Sequence, residues 1–125
     1  ETIADQVSEL DLTEESIAAL KPHWHEGDRA AKLAGVRAVH PEAVSRSFTD
    51  SGAWDVRAEA ERLSVPTLIV SGDPEEYTML APATAAQVTT NPLVDYVVIP
   101  GAGHSPHRDR PEETLEAIRE WLLGR

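Results

Sequence analysis

The chain has no cysteine, one methionine, one phenylalanine and two tyrosines among 125 residues. Without cysteine there is no disulfide framework and no thiolate metal site. Cysteine usage therefore does not fix the redox compartment, and a cytoplasmic setting is the default expectation. No apolar run approaches the roughly eighteen residues that suggest a membrane-crossing helix, and no secretory leader is expected. Positive charge is scarce as well: 11 Lys and Arg stand against 22 Asp and Glu, a net charge of −11. That balance argues against nucleic acid and against an anionic membrane surface as partners, since nothing offsets phosphate repulsion.

What remains is a folding sequence. Hydrophobic residues make up 41 % of it, too many for a disordered acidic chain. The length suits one modest domain. The chain starts at Glu1 rather than Met, and is expected to begin inside a longer gene product.

Residues 1–53 read as short helices and loops. Thr13 followed by Glu14, Glu15 and Ser16 has the form of a helix start, with Ile17 and Leu20 at helical spacing and Pro22 as the boundary. Asp28 is a candidate cap for a second helix that carries Ala31, Leu33 and Ala34 and closes at Gly35. His40-Pro41-Glu42 opens a third, with Ala43, Val44 and Phe48 on one side. Ser51-Gly52 is a turn, and Val56–Leu63 a short charged connection.

The second half, residues 54–125, has another texture. Val65-Pro66-Thr67-Leu68-Ile69-Val70 is a continuous apolar run stopped by Ser71-Gly72-Asp73-Pro74. Such runs suit a parallel strand buried on both faces. Pro82 through Val88 predicts a crossover helix ended by Asn91-Pro92. Val94–Ile99 is a second strand. Pro111 opens a final helix with an apolar stripe at Leu115, Ile118, Trp121 and Leu122. The order strand–helix–strand–helix is a βαβα unit, so the fold class is α/β with a parallel sheet. Two strands apolar on both faces leave faces and edges to be covered, more than a few short helices supply. The sheet is expected to continue in protein outside this sequence.

In a parallel sheet, functional groups gather at the carboxyl ends of the strands. The first strand delivers Asp73, Glu75 and Glu76. The second ends in Pro100-Gly101-Ala102-Gly103-His104, a tight bend with a histidine at its tip. Histidine is the side chain best suited to proton transfer near neutrality, and a neighbouring carboxylate fixes its tautomer. These are two members of a nucleophile–histidine–acid relay.

From Trp54-Asp55 through Val65–Pro74 to Pro100–His107 and Arg110-Pro111-Glu112, the chain resembles the C-terminal portion of the α/β-hydrolase superfamily. The resemblance implies a cofactor-free, metal-free hydrolase acting on a small-molecule substrate, in which the acid comes from the penultimate strand and the histidine from the last. His104 is the implied histidine. Asp73 is the first candidate for the acid, Glu75 the second and Glu76 the third. Residues 1–53 are implied to be the end of a helical cap. The family's nucleophile sits in a Gly-x-Ser-x-Gly elbow, and no such motif occurs here. The nucleophile and the oxyanion donors are therefore expected in an N-terminal half, from the same gene product or a companion chain, and this chain alone is expected to be inactive. The alternative is a non-catalytic member of the fold that binds a ligand or assembles with a partner.

The remaining polar signals have plainer readings. His107 is expected to brace the loop after His104. His23-Trp24-His25 lacks a third ligand at zinc spacing. Trp24 and Phe48 suit a pocket lining or core packing, and Trp54 and Trp121 suit packing.

Overall fold

The structure, a computed structural model, describes residues 12–52 and 55–124, apart from the side chain of Phe48. The expectations for Trp54 and for the Phe48 side chain lie outside the described residues. The chain divides into two compact units, Glu1–Trp54 and Asp55–Arg125.

The first unit is helical. Helix α1 (Glu14–Leu20) starts as expected, with Thr13 and Ser16 forming a reciprocal capping box. Helix α2 (Glu26–Ala38) starts earlier and ends later than the sequence suggested. Its cap is His25, whose Nδ1 accepts the Gly27 N–H at 3.1 Å, so Asp28 falls inside the first turn. Gly35 does not stop it. The helix runs on until the approach to Pro41, whose ring disfavours helical backbone in the preceding residue. Helix α3 (Pro41–Thr49) follows, capped by the His40 ring. Helices α1 and α2 pack together, and Ile17, Trp24 and Leu33 are the buried apolar residues among those described in this unit.

The second unit begins with the short helix α4 (Arg57–Ala60). Strand β1 (Thr67–Gly72) comes next, then helix α5 (Pro82–Val88) and strand β2 (Val94–Ile99). Helix α6 (Pro106–Asp109) and helix α7 (Pro111–Leu123) close the unit. The strands are parallel and in register from Thr67 opposite Val94 to Gly72 opposite Ile99. β1 starts two residues later than the apolar run. Pro66 has no N–H to give to a ladder, and the first rung is the Thr67 N–H to the Leu93 carbonyl at 2.8 Å. Ser71 and Gly72, expected to stop the strand, are its last and most buried residues.

Among the described residues the sheet has two strands, so each has an unpaired edge. Within this chain Leu68, Ile69, Val70, Val97 and Val98 are only half-buried. Helix α7 packs on both strands, and the Trp121 indole N–H donates to Asp95 Oδ2 at 2.6 Å. Its covered row is not the expected stripe. Thr114 is buried and Ala117, Ile118 and Trp121 are half-buried, whereas Leu115 and Leu122 are more than 60 % exposed. A three-and-four spacing is shared by overlapping rows on one helix, and the sheet takes the row through Thr114. Asn91 ties the connections together. Its amide donates to the Leu63 carbonyl at 2.9 Å and its Oδ1 accepts the Leu93 N–H at 3.0 Å.

Candidate active site

Because Gly72 pairs with Ile99, both strands end at one level, and the loops that follow leave the sheet side by side. The second loop turns at Gly101, which has a φ of +66°, a region that glycine enters without steric cost. Its Ala102 N–H closes the turn on the Ile99 carbonyl at 3.2 Å, and Ala102 itself is completely buried. The approach of the two loops is so close that Gly72 has no room for a side chain. A Cβ there would lie 2.7 Å from the Gly103 carbonyl carbon and 2.9 Å from the Ala102 oxygen.

Asp73 joins the loops. Its N–H donates to the Ala102 carbonyl at 2.7 Å. Its Oδ2 accepts the Gly101 N–H, and its Oδ1 accepts the Glu75 N–H, each at 3.0 Å. The Gly101 N–H first, and the Glu75 N–H second, hold the Asp73 carboxyl below its ordinary value. The carboxylate is therefore ionised at neutral pH. The Asp73 carbonyl accepts the Glu76 and Tyr77 N–H groups, each at 3.1 Å, which curls the acidic loop into a turn. Ser71 Oγ and Thr78 Oγ1, 2.8 Å apart, close that turn back onto β1.

His104 stands exposed at the tip of the second loop. The edge of its ring meets Tyr77, with centroids 6.1 Å apart and planes at 76°. The structure thus brings Asp73, the loop bearing Glu75, and His104 to one end of the sheet. Among the described residues neither Asp73 nor Glu75 hydrogen-bonds the His104 ring. The Glu75 side chain is exposed and makes no hydrogen bond among these residues.

His107 corrects an expectation. It lies exposed on α6, and its ring makes no hydrogen bond among the described residues. The brace comes instead from Asp109, whose Oδ2 accepts the Gly103 N–H at 2.9 Å. Sequence reasoning passed over Asp109 and over α6 itself. The available signal was Ser105-Pro106, a cap-type residue followed by proline at a first helical position. His25, considered as a metal ligand, caps α2 through its Nδ1. Among the described residues no three His, Asp or Glu side chains form a cluster able to hold a metal ion. No described helix is long and apolar enough to cross a membrane.

These loops can be set beside known proteins. No curated protein matches the chain. Among solved structures, a thermophilic esterase from Thermogutta terrifontis, determined with malate bound, matches at 26 % identity and a TM-score of 0.60. The match covers 98 % of this chain and 47 % of the esterase, so the chain spans about half the length of that enzyme. The sequence profile of the alpha/beta hydrolase family matches residues 4–117, which include both strands, Asp73, Glu75, His104 and Asp109. With the helical first unit and both site loops inside that match, the chain belongs to the alpha/beta hydrolase family.

Proposed function

We propose that this chain supplies the acid and the histidine of a cofactor-free ester hydrolase, and that the nucleophile comes from an N-terminal half. The observation that carries the reading is the pinning of two loops at one sheet end. One loop bears the carboxylates and the other bears His104, and Asp73 is bonded to both. In the reaction, a serine, or a cysteine in its place, attacks the acyl carbon, whereas an aspartate there would attack an alkyl carbon. For serine, His104 takes the hydroxyl proton as the carbon–oxygen bond forms, then gives it to the departing alkoxide. Water then attacks the acyl-enzyme while His104 takes its proton, and that proton returns to the serine as the acid leaves. Esters, lactones and carbon–carbon diketone bonds all suit this chemistry. Within the first unit, α1 to α3 would be the end of a helical cap.

Two carboxylates compete for the orienting role. Asp73, the leading candidate on sequence grounds, has both oxygens engaged by backbone N–H groups. That suits it to hold the His104 loop. Glu75 lies two residues from Tyr77, whose ring meets the imidazole, and its carboxylate has no such engagement. This favours Glu75 as the group that fixes the tautomer of His104.

The test uses the full-length protein and short p-nitrophenyl esters. His104→Ala should lower kcat by about a thousandfold or more, as removal of a relay member does. Glu75→Gln should approach that loss, while Asp73→Asn should cost less. If the full-length protein shows no turnover, and its elbow carries Gly or Ala in place of the nucleophile, the chain instead belongs to a ligand-binding member of the fold. Hydrolysis undiminished by His104→Ala would dismiss the relay.

A further inference from the structure

Asp109 is an acid where acids are seldom found. It closes α6 and is only 5 % exposed, and a buried carboxylate is stable only with hydrogen-bond partners. Its Oδ2 accepts the Gly103 N–H at 2.9 Å. Gly103 immediately precedes His104, so that bond fixes the Ala102–Gly103 peptide plane, one residue before the histidine. The other flank is fixed as well. The Asp109 N–H donates to the Ser105 carbonyl, immediately after His104, at 2.9 Å. His104 thus sits at the tip of a small ring that Asp109 closes twice, by its side chain before the histidine and by its backbone after it. Space for the first bond depends on Gly103, where a Cβ would lie 3.1 Å from Asp109 Oδ2.

We infer that Asp109 is a positioning residue for His104, acting through the Gly103 peptide and not by touching the imidazole. The inference rests on His104 being the proton relay. Its physical basis is that proton transfer tolerates little misplacement of the base. A shift of about 1 Å can cost about a hundredfold in rate. A side chain at a loop tip inherits every change in the peptide that precedes it. Asp73 and Asp109 divide the work. Asp73 anchors the loop at Gly101, toward the strand, and Asp109 anchors it at Gly103, next to the histidine.

A carboxylate that merely stabilised α6 would affect folding and leave the imidazole alone, so the test reads the imidazole. In the full-length protein, p-nitrophenyl acetate hydrolysis is measured from pH 5 to 9, and the His104 ring is titrated by carbon-13 NMR. Asp109→Ala should lower kcat by about tenfold or more with KM within about twofold, and should move the His104 titration midpoint. Asp109→Asn retains a carbonyl acceptor for the Gly103 N–H and should recover most of the rate. Should Asp109→Ala not fold, Gly103→Ala lengthens the same bond with the acid in place, and should reproduce the rate loss and midpoint shift in milder form. The inference is overturned if activity in every variant tracks only the folded fraction by circular dichroism and His104 titrates as in the wild type. Full hydrolysis in His104→Ala would instead remove the relay reading. The NMR titration would still decide whether Asp109 governs the imidazole.

Discussion

Gly72 is constrained by the backbone of the neighbouring loop. A methyl group there meets the Gly103 carbonyl, which is backbone and cannot swing away. Gly72→Ala should therefore push the His104 loop off the end of β1. Overpacking of this kind costs about 1–3 kcal/mol, to be read from urea unfolding of the full-length protein, with loss of ester hydrolysis beside it. Asp73 permits a prediction about pH. Its carboxyl is held below its ordinary value in the folded protein. A depressed carboxyl stabilises the fold above the unfolded value, about 4, and that contribution disappears as pH falls through the lowered folded value. Thermal melts between pH 5 and 2 should show Asp73→Asn flattening the acid limb, with the wild-type advantage confined to the upper part of that range. An Asp73→Asn protein with an unaltered acid limb would contradict a stabilising role for the bonds from the Gly101 and Glu75 N–H groups to Asp73. At this scale the sequence was legible where a residue has one plausible role. His104 at the tip of Pro-Gly-Ala-Gly-His was visible directly. The hydrogen bonds of Asp73 and Asp109 were not, because each goes to a backbone N–H far away in sequence or hidden in a turn. Gly-Asp-Pro reads equally as a turn and as a site.

At the scale of elements, β2, α5 and the start of α7 fell where the pattern put them, since each has a proline, a cap or a clean apolar run at its boundary. The errors share a physical source. α2 overran Gly35 because one glycine costs a helix only about 1 kcal/mol, less than the packing of Leu33 and its neighbours supplies. β1 slid by two residues because ladder hydrogen bonds, and not hydrophobicity, define a strand. The α7 stripe was misjudged because periodicity does not say which of two overlapping rows the sheet will take. Asn91 gives the test for this level. It holds the connection before β1 to the start of β2, and it is 8 % exposed. Asn91→Ala leaves a part-buried carbonyl and N–H without their side-chain partner, at about 1 kcal/mol. Chemical denaturation should show that loss, with amide exchange accelerated at Thr67 and Leu93.

For the whole molecule, the decisive feature is that, among the described residues, the sheet has two strands, two open edges and half-buried faces. Leu115, Leu122 and Leu123 stand exposed on α7. Isolated two-stranded pairs are marginal in water, and exposed apolar area of this kind ordinarily meets a partner. Residues 1–125 expressed alone should bind a hydrophobic dye, self-associate in light scattering and melt over a broad range. A sharp monomeric melt without dye binding would count against a missing half. The class of fold was legible at this scale because strand–helix–strand–helix admits few topologies. What covers the open edges was not, since the sequence shows the apolar faces and not what meets them.

The register of β1 on β2 has a consequence for how such a protein can change over time. The acidic loop and the histidine are neighbours because Gly72 faces Ile99, not because of the length of chain between them. Residues 79–93 can gain or lose segments at exposed turns, as near Met79, without altering the height at which either strand ends. A slip of the strands by two residues would preserve every inward-facing side chain, yet carry acid and base apart by about 7 Å. Insertions in that connection should therefore be common among descendants of this sequence, and shifts in pairing should be absent.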